Sequence, residues 1–339
     1  MAFQETIGLG VEAVKSHLSG IWRPLYIQLS VTDRCNLRCL YCNVPLRGKK
    51  DLSCGEWKKI IDQLHAGGTR RVTLLGGEPL IREDIGEIIR YIKGKGMSCG
   101  MTTNGYFVYK KLQDVLLLDT IAVSIDGDEA KTDYLRGKGT FQAVYEALEV
   151  LQNAGKRLLI DATIVKDNLD AVEAVLSIAE RYRCQALINV AYHSSAINAP
   201  HIKELLMTDH QYRELFRQLI QAKKRGAPVF FSQKTYQALL YWNDYHKDKI
   251  NNQEPLPVGF PRCQAGRCYA YIDTDGNMYP CPVNVGVVEA LNCLDAGVEA
   301  AWKKTGTHSC RACTAACLIE YNALYSLQSY AIRNILRRY

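Results

Sequence analysis

The sequence lacks the features that would tie the chain to a membrane or to a nucleic acid. It has no run of 18 apolar residues that could span a bilayer. Its start carries Glu5 and Glu12 instead of the basic residues of a secretory signal. The net charge is +7, but the 42 Lys and Arg residues are spread along the chain and form no block. We therefore predict a cytoplasmic protein without a nucleic-acid partner.

Cysteine, in contrast, is abundant, and its 13 copies are clustered. An odd number rules out complete disulfide pairing within the chain, and in a reducing compartment such clusters indicate metal-binding or catalytic sites. Four isolated cysteines are predicted to be small buried residues: Cys54, Cys99, Cys184 and Cys293. The others form a group near the start and a group near the end: Cys35, Cys39 and Cys42, then Cys263, Cys268, Cys281, Cys310, Cys313 and Cys317.

Short apolar runs alternate with amphipathic stretches over the first two thirds of the chain. The runs predict buried strands at 25–31, 71–75, 98–103, 120–125, 158–164 and 186–191. Helical spacing follows at about 54–66, 82–95, 109–117, 140–154, 168–182 and 208–224. Repeated β-α units predict a parallel sheet covered by helices, and six units fall short of the eight of a closed barrel. The predicted fold class is α/β, an open, partial (β/α)6 TIM-type barrel.

Unusual motifs stand at the ends of four successive predicted strands. The first strand leads into DRCNLRCLYC at 33–42, and the second leads into GGEP at 76–79. The third ends in TNG at 103–105, and the fourth ends in SIDG at 124–127. Because ligands of such folds bind at the carboxyl ends of the strands, these loops predict one functional rim.

The first rim loop has Cys-x3-Cys-x2-Cys spacing, which suits a soft metal. A structural zinc site would need a fourth Cys or His, and no His lies between His17 and His65. A [4Fe–4S] cluster held by three thiolates leaves one iron open for a substrate or cofactor. A cluster with three thiolate ligands therefore favours a catalytic role, whereas a cluster with four would favour a structural role or electron transfer.

The thiol spacing and the three following motifs resemble the signature of the radical S-adenosylmethionine (radical SAM) superfamily. The resemblance covers roughly residues 24–225 and implies a partial barrel, a [4Fe–4S] cluster and SAM bound at the open iron. It implies reductive cleavage of SAM to a 5′-deoxyadenosyl radical, which abstracts hydrogen from an unactivated carbon. It also implies a flavodoxin- or ferredoxin-type electron donor.

The same resemblance implies roles for residues of the rim. Cys35, Cys39 and Cys42 would ligate the cluster, and Tyr41 would pack near the adenine. The methionine amino group of SAM would bind to the turn formed by Gly76, Gly77, Glu78 and Pro79. It would bind there through the backbone or through the Glu78 carboxylate. The residues that line the rest of the SAM site are Thr103, Asn104, Ser124 and Arg136, the last two near the SAM carboxylate. Both residues also have purely structural interpretations. Arg136 could be a solvated surface arginine, and Ser124 a strand residue whose hydroxyl bonds to the backbone.

The C-terminal cysteines resemble the SPASM/twitch extension of certain radical SAM enzymes. Cys263 and Cys281 flank a predicted hairpin that turns at Asp275-Gly276. The resemblance implies one auxiliary [4Fe–4S] cluster, held by Cys263, Cys281, Cys310 and Cys313, with Cys317 as a replacement for one of the four. A zinc ribbon is the structural alternative.

The predicted organisation has four parts. These are an N-terminal helix at 1–23, the barrel at 24–225, a helical segment and linker at 226–262, and a small cysteine-rich domain at 263–339. Helical spacing from 318 to 338 predicts a terminal helix. The two terminal helices are predicted to pack on the barrel, and a membrane surface is an alternative partner for them. The apolar and basic residues that would contact a membrane are Ile7, Val11, Val14, Leu18, Arg333, Arg337 and Arg338.

Several reactions and substrates fit the sequence. An auxiliary cluster that accepts an electron favours net oxidation of a small-molecule or natural-product substrate. An epimerase that uses Cys268 as hydrogen donor is an alternative, and so is an enzyme that modifies a lipid or a peptide. Only about 24 residues precede the first strand, which disfavours a peptide-recognition domain there. A non-catalytic iron–sulfur or zinc scaffold would explain the cysteines but not the rim motifs.

Overall fold

A computed structural model gives the fold and describes residues 2–193, 195–257 and 259–336, with side chains from residue 8 onward. None of the helices in these ranges is long and apolar enough to cross a membrane. Arg337, Arg338 and the side chain of Ile7, which contribute to the membrane-surface alternative, lie outside the described part.

A parallel sheet forms the centre of the molecule. Its first six strands pair in chain order: β1 (Tyr26–Ser30), β2 (Arg71–Leu75), β3 (Ser98–Thr103), β4 (Thr120–Ser124), β5 (Leu158–Ile164) and β6 (Gln185–Val190). Burial alternates along β5, where Ile160 and Ala162 pack under the helices and Asp161 and Thr163 face the inner side. The predicted α/β partial barrel is confirmed.

Helices cover the outer side of this sheet. They are α2 (Cys54–Ala66), α3 (Ile85–Gly94), α4 (Leu112–Val115), α5 (Glu129–Arg136), α6 (Thr140–Asn153), α7 (Val172–Arg181) and α8 (Asp209–Lys224). Helix α1 (Ala2–Ser19) lies instead at the amino ends of the strands, where Leu9 and Ala13 line a pocket with Tyr26, Arg71 and Thr120. A capping box starts α2, because the Ser53 hydroxyl accepts from Glu56 N and the Glu56 carboxylate accepts from Ser53 N. The sequence did not predict α5, a polar helix of eight residues that begins at the Asp128 cap.

The C-terminal third continues the same sheet. Its elements are α9 (Gln233–Leu240), β7 (Lys249–Asn251), β8 (Tyr269–Ile272), β9 (Asn277–Tyr279), β10 (Leu291–Asn292), α10 (Val298–Thr305), β11 (Cys310–Cys313), α11 (Ala316–Tyr325) and α12 (Ser329–Leu336). The predicted hairpin is present as β8 and β9. Strand β8 also pairs in parallel with β1, so the sheet crosses the predicted domain boundary at residue 263.

The terminal helices pack on the protein. In α1, Leu9 and Ala13 are buried in a cluster that includes Leu318 and Tyr325 of α11. The single terminal helix expected from 318 to 338 is wrong: the chain breaks between α11 and α12, where Leu327 adopts a φ of 58°. A left-handed residue cannot continue a right-handed helix, and apolar periodicity does not reveal such a break.

Candidate active site

A cavity of about 330 Å³ opens at the carboxyl ends of the strands. Every predicted SAM-site residue except Glu78 and Pro79 lines it: Cys35, Cys39, Tyr41, Cys42, Gly76, Gly77, Thr103, Asn104, Ser124 and Arg136. It also contains residues that the sequence did not single out, among them Asp161, Thr163, Asn189 and Tyr192. The fold therefore gathers the four rim motifs around one space.

The three thiols of the first rim loop share one wall of this cavity. Leu37 N donates to Cys35 Sγ at 3.4 Å, and Asn104 Nδ2 lies 3.7 Å from the same sulfur. Burial raises the pKa of the Cys39 thiol to about 12, and the nearby Arg136 charge opposes that rise. A soft metal that coordinates these sulfurs would deprotonate them.

The three thiols are soft donors from one loop. Three thiolates on a [4Fe–4S] cluster leave one iron open. The donor set therefore agrees with a three-thiolate iron–sulfur cluster.

Glycines let the second rim loop lie directly against the thiol loop. Gly77 N donates to Thr32 O at 2.7 Å, and Glu78 N donates to Arg34 O at 2.8 Å. A Cβ added to Gly77 would stand 2.3 Å from Arg34 O, a backbone atom that cannot rotate away. Gly76 has a φ of 141°, which side chains rarely adopt. No side chain other than hydrogen fits at either position.

The Glu78 carboxylate is turned away from the cavity, contrary to its predicted role at the methionine amino group. It is fully buried and accepts from Leu80 N at 3.0 Å, from the Thr103 hydroxyl at 2.9 Å and from Asn104 N at 2.7 Å. Burial raises the pKa of Glu78 to about 7. Glu78 thus fixes the third rim loop to the second, and Pro79 is buried at the start of the following turn.

Asp126 organises the side of the cavity that holds Arg136 and Tyr41. The Arg136 guanidinium donates to both Asp126 oxygens at 2.7 and 2.9 Å, and the Tyr41 hydroxyl donates to Asp126 at 2.6 Å. Thr163 N adds a further hydrogen bond at 2.9 Å. Arg136 also lies over the Tyr41 ring at 5.6 Å. Arg136 is therefore a buried, oriented cation, not a surface arginine.

Asp161 and Asn189 form a polar patch next to Ser124 that sequence reasoning missed. Asp161 is the register partner of Ser124, and Asn189 Nδ2 donates to Asp161 at 3.2 Å. Burial raises the pKa of Asp161 to about 6, whereas the Arg136 charge lowers it. The signal that could have identified Asp161 is its position as the charged residue of the predicted strand 158–164.

Ion pairs join the thiol loop to the C-terminal hairpin. Arg47 donates to Asp33 and to both oxygens of Asp273, the latter at 2.8 and 2.9 Å. Lys49 Nζ lies 2.7 Å from carboxylate oxygens of Asp273 and Asp275. This contact could not be predicted from the sequence, because Arg47 and Asp273 are more than 220 residues apart.

Four of the C-terminal cysteines group together. Cys281 and Cys313 are buried in one cluster of residues, and Cys263 packs against that cluster. Cys263 N also donates to Arg311 O at 3.2 Å, next to Cys310 in the chain. Strand β11 carries Cys310 and Cys313 and pairs with β7. These four residues are the set that the sequence favoured for an auxiliary cluster.

The other two C-terminal cysteines differ in their relation to the cavity. Cys268 is fully buried and is not part of the cavity lining, so the structure does not support its predicted role as hydrogen donor. Cys317 lines the cavity that contains Cys35, Cys39 and Cys42. It also packs against the cluster of buried residues that includes Cys281 and Cys313.

Comparisons with known proteins agree with this site. Residues 29–179 match the family model of the radical SAM superfamily. The chain is 29% identical over 271 residues to the mycofactocin maturase of Mycolicibacterium smegmatis, covering 78% of this chain and 65% of that protein. It is 28% identical over 282 residues to the AdoMet-dependent heme synthase of Methanosarcina barkeri, covering 76% of each. Streptococcus suis SuiB bound to precursor peptide SuiA has the same fold, with a TM-score of 0.67 at 18% identity over 87% of this chain and 69% of that one.

The fold and the site agree with the family model over residues 29–179, so this part of the chain is a radical SAM domain. The cofactors of this superfamily are a [4Fe–4S] cluster and SAM. More particularly, the chain is similar to a mycofactocin maturase in sequence and to SuiB in fold. The chain spans 65% of the length of the maturase and 40% of the length of the Fe-coproporphyrin III synthase of M. barkeri.

Proposed function

We propose that this protein cleaves SAM reductively and abstracts hydrogen from a carbon of its substrate, with net oxidation of that substrate. The observation that carries the proposal is the shared cavity. Three thiols, an oriented arginine and the Gly-Gly turn face the same space at the strand ends. A cluster and SAM, when bound, would supply the radical chemistry there.

The chain's own residues would bind and orient these cofactors. Cys35, Cys39 and Cys42 are the proposed cluster ligands, and Asn104 positions Cys35 through its amide. Asp126 holds Arg136 in place for the SAM carboxylate, because the bidentate pair fixes the guanidinium plane. The carboxylate of SAM would bind to the part of the guanidinium that faces the cavity, beside Ser124.

The proposed second cofactor is an auxiliary [4Fe–4S] cluster on the C-terminal thiols. Cys263, Cys281, Cys310 and Cys313 would close all four iron positions, which suits electron transfer and not substrate binding. A closed cluster near the barrel favours net oxidation, since it offers an acceptor for the second electron. A flavodoxin- or ferredoxin-type protein is the proposed external donor.

The relatives favour a peptide substrate. One relative is named a mycofactocin maturase, and SuiB was solved with a precursor peptide. We extend this substrate class to the present chain in place of the small-molecule or natural-product substrate that the sequence favoured, and in preference to the lipid alternative. Leader recognition would then use a separate protein or a surface of this chain.

Anaerobic reconstitution tests the proposal. Iron and sulfide are counted per chain, and 5′-deoxyadenosine is measured after reduction with SAM present. We expect about eight irons, because each [4Fe–4S] cluster holds four, together with 5′-deoxyadenosine. Cys39→Ala should abolish 5′-deoxyadenosine formation and lower the iron content to about four. Cys184→Ala, at a buried position far from both thiol groups in sequence, serves as the matched control.

Two outcomes would contradict the proposal. Zinc in place of iron, or loaded protein that forms no 5′-deoxyadenosine, would leave a metal scaffold as the better description. About four irons with 5′-deoxyadenosine formed would remove the auxiliary cluster and with it the argument for net oxidation.

A further inference from the structure

A cation lies beside the C-terminal thiols that are proposed to hold the auxiliary cluster. Lys249 of β7 is the register partner of Cys313 in the antiparallel pair of β7 and β11. Residues that oppose each other in such a pair place their side chains on the same face. Burial raises the pKa of the Cys310 thiol, and the positive charge of Lys249 opposes that rise. The ammonium group of Lys249 therefore acts on the strand that carries two of the four thiols.

An amide side chain connects Lys249 to a third thiol of the set. Lys249 Nζ donates to Asn284 Oδ1 at 3.4 Å, and Asn284 Nδ2 donates to Cys281 Sγ at 3.3 Å. An ammonium group has donors only, so the amide oxygen must face the lysine and the amide nitrogen must face the sulfur. The contact with the cation polarises the amide and strengthens its hydrogen bond to the sulfur.

The backbone fixes both ends of this connection. Asn284 is 2% exposed and ends the short 3-10 turn Pro282–Asn284, which follows Cys281 directly. Asn284 N also donates to Cys281 O at 3.1 Å. On the other side, Thr314 N donates to Asp248 O at 2.9 Å, which holds β7 against the end of β11. The amide and the ammonium group are thus held in place beside the thiols.

Lys249 has no carboxylate partner in the part of the chain that the structure describes. Its half-buried side chain contacts only neutral oxygens, those of Asn284 and of the Val283 carbonyl at 3.4 Å. The carboxylate of the neighbouring residue, Asp248, accepts instead from His193 N at 2.9 Å. A half-buried cation without a counter-ion is unfavourable unless an anion binds near it. Thiolates that hold a metal cluster would provide that anion.

Electrostatics then determines what the cation does to such a cluster. A [4Fe–4S] cluster with four thiolate ligands has a net negative charge, and that charge grows when the cluster is reduced. A fixed positive charge and hydrogen bonds to the ligand sulfurs stabilise the reduced form more than the oxidised form. Both effects raise the reduction potential, which suits a cluster that accepts an electron.

We propose that Lys249 and Asn284 hold the reduction potential of the auxiliary cluster high, Lys249 as its counter-charge and Asn284 as a hydrogen-bond donor to the Cys281 sulfur. Both are positioning residues, and neither is a ligand. The inference rests on the proposed auxiliary cluster and deepens it. It names the residues of this chain that make the cluster an electron acceptor.

An anaerobic redox titration of the loaded protein, followed by electron paramagnetic resonance, tests this role. Lys249→Met removes the charge and keeps a side chain of similar length. We expect unchanged iron content. At the midpoint potential of the unsubstituted auxiliary cluster, we expect the ratio of reduced to oxidised cluster to fall at least about threefold. The Cys39→Ala protein, which is expected to keep only the auxiliary cluster, identifies the signal to be followed.

Three further variants separate charge from structure. Lys249→Arg keeps the charge and should restore the ratio. Lys247→Met is the matched control, because Lys247 lies two residues away, is 51% exposed and pairs with Glu254; it should leave the ratio unchanged. Asn284→Leu removes the amide at similar volume and should lower the ratio in the same direction as Lys249→Met.

The outcomes distinguish this inference from the proposed function. A fall of less than about threefold in Lys249→Met would overturn the inference. A loss of about four irons from that variant would also overturn it, since Lys249 would then be needed to hold the cluster. If the unsubstituted protein binds only about four irons, the auxiliary cluster and the role of Lys249 fail together. The titration needs no SAM cleavage, so a protein that forms no 5′-deoxyadenosine would refute the proposed reaction alone.

Discussion

Replacing Arg47 by Met tests the ionic contact that joins the thiol loop to the C-terminal hairpin. Arg47 is the cation shared by Asp33 and Asp273, and the side chains of these three residues are at most 5% exposed. Met has a similar length but no charge and no hydrogen-bond donor. The substitution therefore leaves two buried carboxylates without their common partner.

The expected loss in the free energy of unfolding depends on the partners that Asp33 and Asp273 keep. Asp33 keeps the hydrogen bond from the Thr274 hydroxyl at 2.7 Å, and Asp273 keeps Lys49 at 2.7 Å. Removing one partner of a buried ion pair costs about 3 to 5 kcal/mol. Because Lys49 still neutralises part of the charge, we expect a loss of about 3 kcal/mol in the free energy of unfolding.

The cost should also depend on pH. Burial opposes the ionisation of Asp273, but the hydrogen bonds and charges of Arg47 and Lys49 outweigh it and lower the pKa of Asp273. A carboxyl with a lowered pKa contributes stability above its ordinary pKa, and this contribution is lost as the pH falls through the folded value. The difference between Arg47→Met and the unsubstituted protein should therefore be largest near neutral pH.

Urea unfolding of the cluster-loaded protein under anaerobic conditions, followed by tryptophan fluorescence, measures the effect. Lys303→Met is the matched control, since it breaks an ion pair with Glu299 whose side chains are 73% and 82% exposed. That control should leave the unfolding midpoint unchanged. A loss of less than about 1 kcal/mol for Arg47→Met would refute the reasoning, because the pair would then behave like a surface pair.

Two further predictions concern the second rim loop. Gly77→Ala should lower the iron bound per chain and destabilise the protein by about 2 kcal/mol or more, because the added Cβ would meet backbone oxygens at 2.3 and 2.6 Å. Gly55→Ala is the control, since a Cβ at this position of α2 would have nothing within 4 Å. In the same iron and unfolding assays, it should be neutral or stabilise the protein by up to about 1 kcal/mol. Equal effects of the two substitutions would contradict the close approach. Glu78→Gln should weaken the pH dependence of stability. Burial raises the pKa of Glu78 in the folded protein from its ordinary value of 4.5 to about 7, so the unsubstituted protein loses stability as the pH rises between these values, by up to about 3 kcal/mol. Unfolding measured at both ends of that range should show a smaller difference in the variant, and an unchanged difference would exclude Glu78 as its source.

The sequence was sufficient for the elements whose signal is local. Strands β2, β3 and β5 begin and end at the predicted residues, since each is a short segment with buried residues that is bounded by turn residues. The thiol loop and the motifs after β2, β3 and β4 were also recognisable, because parallel strands bring their carboxyl ends to one edge. These features together determined the fold class and most of the cavity lining.

Side-chain direction was decided only by the tertiary structure. The sequence could not show that Glu78 turns into the core, that Asp126 pairs with Arg136, or that Arg47 meets Asp273 across more than 220 residues. It placed Cys317 with Cys313 by spacing but could not show that Cys317 also lines the cavity of the rim motifs. Spacing along the chain fixes which residues are neighbours in sequence, but the packing of distant elements fixes which cavity each side chain faces.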